Sequence, residues 1–181
     1  SRMDLSGRGE DGDALFDTIQ MLDTPQVKAR IMHQLLRTLL LAGQQAFVRG
    51  GTLNVQVTVD EAWQYMGAPD ATTPEAIAAL SHLFAGMLRD ARKLGVGVSA
   101  ILQSVANLRD DIWKQITVLL VGYGLHDASD MKRLAARITD AHLNLYRAAP
   151  PPEATGRYTW MAVGGGVTGL SFGANPVFLE A

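Results

Sequence analysis

The residues best placed by type and spacing to do chemistry are two adjacent carboxylates, Asp60 and Glu61, which end the run Val57-Thr58-Val59. In an open parallel sheet, ligands bind at the C-terminal ends of the strands. Two acids there divide the work: one helps hold a divalent metal, and its neighbour orients and deprotonates a water for attack on a terminal phosphate. The same pair would equally serve as a solvent-facing cap of the following loop. Gln103 ends a second apolar run and would leave its strand at the same edge. Its neutral amide can hydrogen-bond a phosphate or the attacking water. Arg89 and Arg92 are three apart, on nearly one face of a helix end. A guanidinium there can reach across an oligomer interface to a neighbour's nucleotide and stabilise transition-state charge. Basic residues at a helix end also simply complement its dipole.

Alternating β-rich and helical runs must position these groups, which predicts an α/β fold with a largely parallel sheet. Thr24 followed by Pro25 starts a helix that runs to about Ala46. Val27, Ile31, Leu35 and Leu39 are expected to face a sheet, with Met32, Leu36 and Leu40 beside them and Arg30, Gln34, Arg37 and Gln44 in water. Residues 53–59 alternate with the strand period, and Asn54, Gln56 and Thr58 make one side of that strand polar. Pro74 opens a second helix that Gly95 closes as a C-cap. Residues 96–102 read as a strand, and residues 116–123 as a strand covered on both faces. Asp127 or Ser129 caps a third helix that buries Met131, Leu134, Ala135 and Ile138. Pro150-Pro151-Pro152 is a rigid extended break. Beyond it, residues 157–163 and 169–179 form a hairpin or edge addition joined by Gly164-Gly165-Gly166. The expected division is 1–149 for the main α/β core and 150–181 for the C-terminal hairpin strands of the same domain.

The bulk numbers set limits. The chain has 181 residues, 48% of them apolar and 19% charged, with a net charge of −2 and no cysteine. That excludes a disulfide scaffold, a cysteine-ligated zinc or iron–sulfur site, and a strongly basic nucleic-acid coat. Residues 35–46, the longest apolar stretch, are interrupted by Arg37, Thr38 and Gln44, short of the roughly 18 apolar residues a membrane span needs. The N-terminal residues lack a secretory pattern, so the expected location is the cytoplasm, or the cytoplasmic side of a membrane complex. His33, His82, His126 and His142 share no metal-ligand spacing.

The order of the pieces resembles a known family. Asp4-Leu5-Ser6-Gly7, a long helix, Asp60-Glu61-Ala62-Trp63, Ala91-Arg92-Lys93-Leu94-Gly95-Val96-Gly97, Gln103-Ser104 with Asn107-Leu108, and a final Asn175-Pro176-Val177-Phe178-Leu179 resemble the C-terminal half of the HerA/FtsK-type ATPase core. The Asp-Glu-Ala-Trp form looks most like the conjugative and type IV secretion ATPases. The resemblance implies a RecA-like fold, a hexameric ring, and ATP-driven movement of DNA or of a secretion apparatus. By matching position it implies Asp60 for Mg²⁺, Glu61 as catalytic base, Gln103 as sensor of the γ-phosphate, and Arg92 or Arg89 as a finger acting on the neighbouring subunit's ATP.

The sequence departs from that family in one respect. A phosphate-cradling loop needs Gly-x4-Gly-Lys-Ser/Thr, and no Gly-Lys pair is present. The nearest string, residues 164–171, has a leucine in place of the lysine and reads as a hairpin turn. The expectation is therefore a chain that begins after the Walker A loop, whose cradle belongs to an upstream segment. The competing expectation is a non-catalytic RecA-like domain used for assembly or partner docking.

Overall fold

The computed structural model describes residues 23–164 and 175–181. The chain divides after Ile101 into two compact units, Ser1–Ile101 and Leu102–Ala181. The triple proline at 150–152 falls inside the second.

The first unit opens with helix α1 (Pro25–Val48), whose N-cap Thr24 accepts a hydrogen bond from the Val27 amide. Strand β1 (Val55–Val59) follows, then a single turn α2 (Trp63–Met66), helix α3 (Glu75–Asp90), a 3-10 turn (Ala91–Leu94) and strand β2 (Val96–Ala100). β1 and β2 pair in parallel, from Val55 opposite Val96 to Val59 opposite Ala100. Gln56 and Thr58 are exposed, and the Gln56 amide reaches across the wet face to Ser99 Oγ at 2.7 Å.

α1 finds its main partners in α3 and the 3-10 turn rather than on a sheet face. Its buried positions are Ala29, Leu36 and Gly43, seven apart. Two of these are small, which lets the helix approach closely; a Cβ placed on Gly43 would sit 3.1 Å from the Leu94 Cβ. The expected stripe is displaced accordingly, with Ile31 52% and Leu35 65% exposed. Both lines along the helix are apolar, so periodicity alone could not choose between them.

Gly95 does close the helical segment. Its φ of +69° is left-handed, and a Cβ there would meet the Thr52 Cβ at 2.8 Å and two backbone nitrogens at 3.0 Å. The same residue feeds the ladder, since its carbonyl accepts from the Val55 amide at 2.9 Å. Gly95→Ala is expected to destabilise the first unit by about 2 kcal/mol, read as a lower denaturation midpoint; an unchanged midpoint would contradict this account.

The second unit contains helix α4 (Asp110–Gln115), strand β3 (Leu119–Gly122), helices α5 (Ala128–Ala135), α6 (Asp140–Arg147) and α7 (Pro152–Thr155), and strands β4 (Thr159–Val163) and β5 (Val177–Glu180). Its sheet is antiparallel in the order β3-β4-β5. Among the described residues the parallel pairing is thus that of β1 and β2 alone. The run 116–123, expected inside a parallel sheet, supplies β3 of a separate antiparallel one, and its pattern alternates. Leu119 and Val121 face a core of Met131, Leu134, Ile138, Leu143, Tyr146, Met161 and Val163, while Leu120 is exposed. β4 and β5 fall within or beside the two C-terminal runs expected as strands and pair with each other antiparallel; the segment joining them, with most of the 164–171 string, lies outside the described residues.

Asp127 is the cap of α5, accepting from the Ser129 amide at 2.8 Å. The Ser129 hydroxyl and then its amide hold the Asp127 carboxyl below its ordinary pKa. Ala135, expected inside, is exposed, because the buried stripe runs through Asp130, Met131, Leu134 and Ile138 instead. Pro152 is the first residue of α7, so the triple proline ends in a helical turn. Tyr146 ties α6 to the sheet: its hydroxyl donates to the Gly122 carbonyl at 2.6 Å and accepts from the Leu125 amide at 3.1 Å. Burial raises its pKa.

Candidate functional site

Asp60 lies one residue past the end of β1, leaving the parallel pair in the C-terminal direction; Gln103 follows β2 by three residues in sequence and belongs to the second unit. The strand ends are locked by the Ile101 amide donating to the Val59 carbonyl at 2.9 Å and the Ala62 amide donating to Ile101 at 3.1 Å. Ala62 is fully buried, so the turn that carries the acids is anchored from beneath.

Within that turn Asp60 is exposed, and its Oδ1 accepts from the Glu61 amide at 2.8 Å. Glu61 has a φ of +49°, left-handed for a residue with a side chain. Such a conformation costs on the order of 1–3 kcal/mol and persists only where surrounding bonds impose it. One such bond is the Trp63 indole N–H, which donates to Glu61 Oε2 at 2.5 Å. A carboxylate held by a ring two residues away has a defined direction, which a water-orienting base requires. The sequence shows Trp63 only as part of the Asp-Glu-Ala-Trp string; its service to Glu61 depends on the left-handed turn, which propensity does not foresee.

Arg89 lies in the last turn of α3 and Arg92 in the 3-10 turn that leads into the start of β2. Both are exposed. Because β1 and β2 are parallel, α3 must return the chain from the C-terminal to the N-terminal edge of the pair. The arginines therefore belong to the edge opposite Asp60 and Glu61, and the five-residue strands separate the two edges by roughly 16 Å. Asp90 pairs with Lys93 at 2.7 Å, while among the described residues neither arginine forms an ion pair. At that separation they do not share a ligand with the acids of their own chain.

Asp60 suits one kind of metal site. Among the described residues no cluster of three or more His, Asp or Glu could cage an ion. Mg²⁺ is commonly held by one or two carboxylates, waters and substrate phosphates, which an exposed single carboxylate at a strand end can join. ATP fits less well, since the sequence offers no lysine-bearing phosphate cradle. A groove of about 500 Å³ in the second unit, lined by His126, Met131, Lys132, Leu143 and Arg147 among others, includes none of these five residues.

A buried acid that the sequence reading passed over sits behind Gln103. Asp130 is 3% exposed, and its Oδ1 accepts from the Ser104 hydroxyl and the Val105 amide, both at 2.8 Å, and from the Ala106 amide at 2.7 Å. With 24 to 26 residues between partners there is no local signal; the one hint is an acid on the apolar stripe of its helix.

Among the described residues no helix is long and apolar enough to cross a membrane. No protein-family model matches the chain, and no curated protein matches it.

Proposed function

We propose that this chain is the Walker B-bearing part of an ATP-driven motor of the HerA/FtsK type, serving conjugative DNA transfer, type IV secretion or DNA translocation. The observation that carries the reading is the turn at the C-terminal edge of the β1-β2 pair, where Asp60 is open to solvent and the Glu61 carboxylate is held in a strained, defined direction by Trp63. In this reading Asp60 helps hold Mg²⁺, which when bound neutralises charge on the phosphates. Glu61 accepts the proton of the attacking water, and Gln103 hydrogen-bonds the γ-phosphate. Arg92, with Arg89 beside it, acts on the ATP of the next subunit in a hexameric ring; its exposed place on the strand edge opposite Asp60 supports this reading. The phosphate cradle comes from an upstream segment of the parent protein. A RecA-like fold for this mixed α/β chain belongs to the same proposal, and the parallel β1-β2 pair is what supports it.

The second reading, a non-catalytic assembly or docking domain, draws on a different observation: α1 leaves Ile31 and Leu35 exposed, and the sequence has no Gly-Lys pair. Two measurements separate them. The isolated chain is expected to show no saturable ATP binding in the micromolar range and no turnover, whereas the parent carrying a Gly-x4-Gly-Lys-Thr loop hydrolyses ATP. Turnover by the isolated chain would contradict the missing cradle, and a parent without that loop would remove the ATPase reading.

A further inference from the structure

We infer that Asp130 is the positioning residue for Gln103, acting through the turn of residues 104–106; this rests on the ATP-hydrolysing reading of the site. Asp130 is the buried acid among the described residues. Taking a carboxylate out of water costs several kcal/mol unless hydrogen bonds replace its hydration, so its position needs a reason. Helix α5 does not supply one, because Asp127 already caps it and the Asp130 carboxylate is turned to another segment.

What the carboxylate holds is the backbone right after Gln103. Residues 104–106 belong to no helix or strand, so their amides have no ladder to join. A single Asp130 oxygen gathers the Ser104 hydroxyl and the Val105 and Ala106 amides, and Ser104 Oγ accepts from Ala106 as well, at 3.2 Å. Three donors on one oxygen suit a charged acceptor better than a neutral carbonyl with two lone pairs. Gln103 is exposed and leads directly into this knot. An amide that reads a phosphate must be held within about 0.5 Å of its productive place, and a turn clamped by a buried charge provides that where a free loop does not.

The test uses the ATP-hydrolysing parent carrying Gln103→Ala, Asp130→Asn, and both. Asp130→Asn keeps size and shape while removing the charge. It is expected to lower kcat by about 10- to 100-fold with the KM for ATP within about twofold of wild type. In the Gln103→Ala background it is expected to add no more than about a twofold loss, because both changes remove one function. Ser104→Ala, which deletes one of the three donors, should give a smaller kcat loss that Gln103→Ala likewise absorbs, and it serves if Asp130→Asn fails to fold. Losses that multiply, or a change in KM alone, overturn the assignment. If Glu61→Gln and Gln103→Ala both lower turnover while Asp130→Asn and Ser104→Ala do not, this inference falls and the ATPase reading stands. If Glu61→Gln keeps wild-type turnover, both fall together.

Discussion

Glu61→Gln in the full-length parent is expected to lower ATP turnover by about 100- to 10,000-fold, the usual worth of a positioned general base, while nucleotide binding changes little. Glutamine has the same length and its carbonyl oxygen can still accept from the Trp63 indole, so the left-handed turn at residue 61 survives the change. What disappears is the capacity to take a proton from water. Trp63→Phe provides the complementary test. It leaves the carboxylate but removes the bond that aims it, and is expected to reduce kcat by a smaller factor, on the order of tenfold. Phosphate release at saturating ATP reads both. Wild-type turnover in Glu61→Gln would assign the acids to the loop-capping role and favour the docking domain, in which the parent's biological activity also survives the change.

Gly95, Thr24 and Asp127 were legible because their roles are local. A left-handed C-cap, a β-region N-cap and an Asx-type cap each bond to neighbours within four residues. The strand that leads into Asp60 and Glu61 was legible for a related reason, a period of two ending abruptly in charge. Two larger expectations did not carry through. Residues 116–123 are nearly all apolar, and that composition suits a strand covered on both faces or one in a sheet whose second face is open; the pairing with β4 decides, and it lies some forty positions away in sequence. Likewise α1 carries two adjacent apolar lines, and which one faces inward depends on the small residues Ala29 and Gly43 letting α3 and the 3-10 turn come close. In the candidate site, the acids, the amide and the arginines were visible as residue types at plausible strand and helix ends. Trp63 and Asp130 were not, because their roles exist only after the turns at residues 61 and 104–106 have formed.

The second large effect concerns stability and comes from Arg137, another residue whose part is set by distant chain. α4 has six residues, too few to persist in isolation, and its last carbonyls have no partner within the helix. The Arg137 guanidinium supplies them: it donates to the Trp113 carbonyl and to the Ile116 carbonyl, the latter at 2.8 Å, and lies 4.7 Å over the Trp113 ring. Burial lowers its pKa from the ordinary arginine value, yet a guanidinium stays charged across the accessible pH range. Arg137→Ala is expected to cost about 3 kcal/mol, from two charge-assisted hydrogen bonds lost and two carbonyls left without a partner, together with the ring contact. Arg137→Lys should recover less than half, since an ammonium cannot fork between two carbonyls and stack on the indole. Arg133→Ala is the control. Arg133 pairs with Asp110 of the same helix at 2.9 Å, but that carboxylate is 81% exposed and one guanidinium nitrogen of Arg133 is buried without a partner, so its loss should cost under about 1 kcal/mol. Amide exchange across residues 110–116, with denaturant titration of the same variants, measures all three. Equal losses for Arg133→Ala and Arg137→Ala would mean that α4 is held by charge pairing at its start rather than by the guanidinium at its end.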